Sequence, residues 1–180
     1  MTLTESMGRH DLAAYFADRL FCRGAEIGVE QGEFSEVLCQ ANPSLKLLCV
    51  DAWKAYRGYR EHVTQAKLDG FYEATKQRLA RYRAEVWRMF SVEAAMTVKD
   101  GSLDFAYLDA NHTYEQVTAD IAAWAPKVRS GGILAGHDYC RRKRMDYGVK
   151  EAVQAYCEAR KVTPLVLRGD KSPSWVVVQP

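Results

Sequence analysis

The stretch Glu26-Ile27-Gly28-Val29-Glu30-Gln31-Gly32 closes a short apolar run and leads into residues 33–40, whose spacing predicts a helix stopped by Asn42-Pro43. It therefore reads as a strand-to-helix turn carrying two glycines. Glycine in such a turn permits a tight reversal and the close approach of a ligand to the backbone. The dinucleotide fingerprint G-x-G-x-x-G is absent, and Glu30 stands where a pyrophosphate would lie. A carboxylate in that place repels phosphate and favours a cation.

Outward from this turn, helical and strand-like segments alternate. Residues 11–21 predict an amphipathic helix and residues 45–50 a continuous apolar strand. Leu68, Phe71, Tyr72, Thr75 and Leu79 recur at helical spacing within 54–83, which predicts a helical insertion over the active site. Strands are expected at 85–90 and 103–108, a helix at 92–98, and another on the stripe Val117, Ile121, Trp124 and Val128. Gly131-Gly132 opens a strand at 133–135, and residues 148–158 form the last helix. Two β-rich runs follow, 162–167 and 175–178, with no helix between them. Strands that alternate with helices and are apolar on both faces predict an α/β fold, a doubly wound, mostly parallel sheet. The last two runs predict an antiparallel hairpin.

At 180 residues the chain has room for a single domain, 1–180. Hydrophobic residues at 48% and charged ones at 27% exclude a disordered or fibrous chain. The longest apolar runs are strand-sized, against the roughly 20 residues a bilayer requires, so no membrane span is expected. Residues 1–12 are polar without an apolar signal core, and a cytoplasmic location is expected. Five cysteines with no C-x-x-C pair indicate neither a disulfide framework nor a zinc cluster.

The net charge of +2 is unevenly spread. Residues 54–83 hold eight basic residues against three acidic ones, and Arg141-Arg142-Lys143-Arg144 form a second cluster. Emerging at the carboxyl edge of the sheet, these would attract an anionic acceptor; a solvated surface is the plainer reading. Nucleic acid is not the expected partner, because a pI of about 8.2 lies below the strongly basic balance of such domains.

In an open α/β sheet, ligands bind outside the carboxyl ends of the strands. That rule selects residues 28–32, 51–53, 109–112 and 137–138. Asp51 ends the second strand about twenty residues beyond Gly28, where a carboxylate reaches ribose hydroxyls. With Glu30 it points to a nucleoside ligand that carries positive charge and no phosphate, a description S-adenosylmethionine fits. Taken singly, the glycines can be a plain turn and Asp51 a helix cap.

Asp109, Asn111, His112, His137 and Asp138 stand at the ends of adjacent strands. Three readings of this group are open. Asp109, His137 and Asp138 can hold Mg²⁺ or Mn²⁺, which would lower the pKa of a substrate hydroxyl. His112 or His137 can act as a general base. Or both are structural, His112 capping a helix and His137 bracing a loop.

The runs E-I-G-V-E-Q-G-E-F-S (26–35), V-D-A-W (50–53), S-V-E-A-A (91–95), D-G-S-L-D-F-A-Y-L-D-A-N-H-T-Y-E (100–115), S-G-G-I-L-A-G-H-D-Y (130–139) and G-V-K-E-A-V (148–153) carry a family likeness. Together they resemble the small, stand-alone Rossmann-like (class I) S-adenosylmethionine-dependent methyltransferases often linked to natural products and saccharides. The resemblance covers about residues 24–160. It implies a seven-stranded sheet in the order 3-2-1-4-5-7-6, with Glu26, Gly28, Gly32, Asp51, Trp53, Ser91 and Asp109 around the cofactor. It also implies O-methylation of a small polar, anionic metabolite or sugar. Some related O-methyltransferases hold a divalent cation on acidic or amide residues at these two strand ends, a pattern from which His137 departs. Two other readings stay open: a nicotinamide-dependent Rossmann oxidoreductase, against which Glu30 and the missing third glycine count, and a non-catalytic nucleoside-binding module.

Overall fold

The computed structural model describes residues 1–60, 62–140 and 147–180. The basic cluster Arg141-Arg142-Lys143-Arg144 lies outside the described residues. At the centre stands β4 (Leu103–Leu108), fully apolar from Phe105 onward. Ala106 and Leu108 face one core and Phe105 and Tyr107 the other, the alternation a pleated strand imposes. Burial on both faces requires helices above and below, and a parallel sheet supplies them through its crossovers.

The chain runs α1 (Arg9–Asp18), β1 (Arg23–Ile27), α2 (Glu33–Ala41), β2 (Lys46–Asp51), α3 (Gln65–Leu79), β3 (Ala84–Arg88), α4 (Ser91–Thr97), β4, α5 (Tyr114–Trp124), β5 (Val128–Gly136), α6 (Val149–Arg160), β6 (Leu165–Leu167) and β7 (Ser174–Val178). The strands form one sheet in the order β3-β2-β1-β4-β5-β7-β6. β7 lies antiparallel between β5 and β6 and the other pairings are parallel, which is the doubly wound sheet with a closing hairpin read from the sequence. β1 pairs with β2 on one side and β4 on the other. The winding direction reverses at that point, and the carboxyl ends of β1 and β4 part to leave a crevice.

Two boundaries differ from the sequence reading. The stripe ending at Val128 suggested a helix that long, but α5 stops at Trp124 and a 3₁₀ turn, Ala125–Lys127, follows. Pro126 lacks the N–H that another helical turn would need. β5 then begins at Val128, with a register shift against β4 between Leu103 and Phe105. In the 54–83 segment, α3 is a single helix started by Thr64, whose side chain accepts from Lys67 N at 3.3 Å. The part of this segment that reaches the crevice is not the helix: it is the irregular stretch before α3, through Tyr56, Tyr59 and Arg60.

The basic excess of 54–83 is also largely engaged. Arg78 and Arg81 both pair with Glu36 of α2, Lys76 with Glu73, and Arg60 with Glu30. These contacts fasten α3 to α2 and leave few free cations on this segment. Among the described residues no helix is long and apolar enough to cross a membrane.

Candidate active site

Glu26 and Ile27 end β1, and Gly28 turns away with φ +88°. A Cβ on Gly28 would lie 2.1 Å from the carbonyl oxygen of Asp109, so only glycine lets the ends of β1 and β4 come this close. Gly32, φ +74°, caps α2, and a Cβ there would stand 3.2 Å from Thr75 Cγ2. That glycine serves helix packing and lines neither cavity described below.

Asp51 organises the turn. Its Oδ2 accepts from the backbone N–H groups of Val29 and Glu30, both at 3.0 Å, and its Oδ1 from Trp53 N at 2.9 Å. A carboxylate offers about four lone-pair sites, so about one remains for a ligand hydroxyl. Trp53, expected near the cofactor, is 1% exposed and packs against Tyr72 with ring centroids 5.0 Å apart. Its place beside the cofactor is corrected: the indole turns into the core. Glu30, Trp53 and Asp138 all adopt positive φ, at 53°, 40° and 57°. Left-handed backbone costs a non-glycine residue about 1–2 kcal/mol, and here it gathers at the ends of β1, β2 and β5.

Two cavities meet at Gly28, Tyr59 and Ala110. The first, about 230 Å³, is lined by Asp51, Phe90, Ser91, Asn111 and Asp120 among others. Asp120 is buried on α5, and burial raises its carboxyl to about 6 while a hydrogen bond from Ser91 works the other way. Ser91 Oγ in turn accepts from Trp124 Nε1 at 3.0 Å. The hydroxyl that the resemblance assigned to the cofactor is thus tied to α5 while bordering this cavity.

The second cavity, about 260 Å³, is lined by Arg9, Glu26, Glu30, Asp109, His112 and Asp138 among others. Glu26 is 3% exposed; burial pushes its carboxyl up to about 8, against the hydrogen bond Ser35 donates to it. Tyr59 stands at the junction, its hydroxyl donating to Ala110 O at 3.3 Å and receiving Arg60 Nε at 3.1 Å. Burial pushes that phenol up to about 12, so it is neutral at physiological pH.

On the floor of the second cavity the two strand ends converge. His112 Nε2 lies 3.3 Å from Asp109 Oδ1 and 3.2 Å from Asp138 Oδ2. His137 Nδ1 lies 3.6 Å from Asp109 Oδ2 and 3.5 Å from Asp138 Oδ2. Asp109, His137 and Asp138 each offer a donor atom, all within 4.8 Å of one another. Burial opposes the charge on Asp138, yet a hydrogen bond from His137 and the nearby imidazoles hold its carboxyl well below the usual range. Burial likewise opposes the charge on His137, and the Asp138 hydrogen bond with the Asp109 charge outweighs it, raising the imidazole above its ordinary value. His112 stacks on Tyr147 at 4.8 Å, which fixes its ring.

A family model described as a methyltransferase domain matches residues 25–139, the span from β1 to just beyond β5. The chain belongs to this methyltransferase family. A protein of Sinorhizobium fredii of unknown role is 27% identical over 123 residues, 64% of the present methyltransferase chain, which spans only 13% of that relative. Among solved structures, a Staphylococcus aureus protein provisionally assigned as a caffeoyl-CoA O-methyltransferase aligns at TM-score 0.70 and 14% identity, covering 94% of this chain and 82% of its own. An O-methyltransferase of Bacillus cereus, solved with S-adenosylhomocysteine, aligns at 0.66 and 15%, covering 94% and 80%. The O-methyltransferase TomG of Streptomyces achromogenes, from tomaymycin synthesis and solved with S-adenosylmethionine, aligns at 0.64 and 16%, covering 96% and 79%. These likenesses establish the methyltransferase fold.

The methyltransferase site thus brings together Glu26, Gly28, Asp51, Ser91, Asp109, His112, His137 and Asp138, and leaves Gly32 and Trp53 outside the cavities. Three lining residues escaped the sequence reading: Arg9, Tyr59 and Asp120. Asp120 left a trace, a carboxylate on the buried stripe of α5 between Val117 and Ile121. Arg9 precedes the first strand and belongs to no motif.

Proposed function

We propose that this methyltransferase transfers a methyl group from S-adenosylmethionine to an oxygen of a small polar acceptor. The observation that carries the reading is the pair of adjoining cavities: one bordered by Asp51 and apolar groups, the other lined by carboxyls. A bipartite ligand with an uncharged nucleoside and a cationic tail has that shape and charge. The close approach at Gly28, which a Cβ would fill, is a further fit. The relatives solved with S-adenosylmethionine or its product support the same choice. Bound there, the cofactor supplies an electrophilic methyl on a sulfonium. The chain's own residues then have three tasks: Asp51 orients the ribose, the junction at Tyr59 excludes water, and the strand-end cluster prepares the acceptor hydroxyl. Methyl transfer is an in-line displacement governed by positioning, so no covalent nucleophile is needed.

For the cluster, Asp109, His137 and Asp138 are the residues that would hold a divalent cation. Two carboxylates with imidazole suit Mn²⁺ better than Mg²⁺, which prefers oxygen ligands and retained water. Such an ion would lower the pKa of an acceptor hydroxyl placed against it. The position of His112 Nε2 between two carboxylates favours this reading over a free imidazole base, since that nitrogen is already engaged. A base on His112 is the second reading, because Asp109 and Asp138 would stabilise its protonated form.

Calorimetry with S-adenosylhomocysteine and NAD tests the assignment. The first should bind and the second should not, and Asp51→Ala should weaken the first by about 1.5–3 kcal/mol, the range for hydrogen bonds to a charged group. NAD binding without S-adenosylhomocysteine binding would overturn it in favour of an oxidoreductase. Binding without turnover across hydroxylated acceptors would instead favour a non-catalytic nucleoside module.

A further inference from the structure

Arg9 is a cation in a cavity otherwise rich in carboxyls, and its surroundings are unusual. It opens α1, outside the span matched by the methyltransferase domain. Its backbone N–H donates to Asp170 Oδ2 at 2.7 Å, and Gly169 N donates to Met7 O at 2.8 Å. The start of α1 is therefore pinned to the turn between β6 and β7, and the side chain leaves that anchor toward the crevice. The guanidinium carbon lies 5.3 Å from the ring centroid of Phe34, in the first turn of α2. Stacking of this kind holds the plane of the guanidinium while leaving its N–H edge open to a ligand.

Glu26, Glu30, Glu33, Asp109 and Asp138 border the same cavity, yet none of them lies within 4.0 Å of Arg9. An arginine among five acidic residues that pairs with none is held apart for another anion. Its rigid fork of donors matches a planar carboxylate. Glu26 sits deeper in the cavity and is suited to an ammonium. One residue for each pole of a zwitterion is the complement of an α-amino acid.

Building on the nucleoside reading above, we infer that Arg9 is the carboxylate-binding residue of the acidic cavity. The carboxylate can come from the amino-acid end of S-adenosylmethionine or from the acceptor. The chemistry at Arg9 is the same, and the experiment separates the sources.

The test compares wild type with Arg9→Met, which keeps the stem over Phe34, and Arg9→Lys, which keeps the charge and loses the fork. Circular dichroism first verifies that each is folded. Calorimetry then uses S-adenosylhomocysteine and 5′-methylthioadenosine, the same nucleoside thioether without the amino-acid group. With the cofactor as source, Arg9→Met should weaken S-adenosylhomocysteine about 10- to 100-fold and leave methylthioadenosine within about twofold, Arg9→Lys falling between. With the acceptor as source, both nucleosides bind unchanged, and Arg9→Met raises KM for 3,4-dihydroxybenzoate about tenfold while sparing catechol. Unchanged binding of both nucleosides together with unchanged preference between the two catechols overturns the inference. Wild-type protein that binds neither nucleoside overturns the nucleoside reading and this inference with it.

Discussion

The indole nitrogen of Trp53 donates to the carbonyl oxygen of Glu30 across 2.7 Å, joining the end of β2 to the turn after β1. The same carbonyl accepts the hydroxyl of Thr75 at 3.1 Å, which ties α3 into the junction. Glu30 holds a left-handed backbone that it would leave if unrestrained. Buried side chains from two other elements thus keep the wall of the acidic cavity in place.

Trp53→Phe retains a ring in the core and deletes this donor. Stability should fall by about 1–3 kcal/mol, the cost of a lost buried hydrogen bond with some lost packing. Urea unfolding measures that part. Affinity for S-adenosylhomocysteine should fall several-fold as the turn relaxes, and an undiminished affinity would mean the turn holds its shape without the clamp.

Asp120 governs a pH dependence of stability. Its unfolded value is 3.8 and its folded value about 6. A carboxyl raised on folding stabilises the native state only while protonated, so its contribution is complete below about pH 4 and lost as pH rises through 6. At 1.36 kcal/mol per unit, the native protein forgoes about 3 kcal/mol at pH 7.5. Asp120→Asn, which can still accept from Ser91, should be more stable than wild type at pH 7.5 by about that amount, with the gap closing toward pH 4. Parallel unfolding curves at every pH would show that Asp120 ionises freely in the native state.

Glu26 gives a signal on binding. Near neutral pH its buried carboxyl holds a proton, because its folded value is about 8. A ligand that places an ammonium beside it will favour the ionised form, and the proton must leave. Binding of S-adenosylhomocysteine at pH 7 should therefore release close to one proton, seen as different apparent enthalpies in phosphate and Tris. Glu26→Gln should abolish the difference. Equal enthalpies for wild type in the two buffers would place the ammonium elsewhere.

At the strand-end cluster, exhaustive chelation should remove methyl-transfer activity, and Mn²⁺ should restore it more fully than Mg²⁺. Asp138→Ala should lose that restoration. Full activity after chelation would leave His112 as the base, and His112→Gln would then be the variant that loses turnover.

Legibility in the sequence followed the physics of each element. β4 and Asp109 stood out because a strand buried on both faces needs an unbroken apolar run, and the crevice rule then locates the acidic residue that ends it. The order of winding was equally readable, since 162–167 and 175–178 have no helix between them. Trp53 was misplaced because composition does not tell toward which side of a turn an indole rotates; the Glu30 carbonyl and the Tyr72 ring decide it. Arg9 reaches the cavity only through a contact with Asp170, and no local pattern encodes so distant a partner. Pro126 carried a readable stop that the apolar stripe through Val128 outweighed.

The position of β7 between β5 and β6 also sets an order of events during folding. The nucleoside half of the site needs β1, β2, β4 and the residues between them. The acidic half additionally needs the turn after β6, where Gly169 and Asp170 hold the start of α1 and Pro173 O accepts from Tyr139 N at 2.9 Å beside Asp138. Contacts that close so long a loop form late, because the entropy of closure must be met before they reward it. Amide protection during refolding should accordingly appear in β1 and β4 before it appears in β7. A chain part-way through folding can then cradle a nucleoside before it is able to do chemistry on an acceptor.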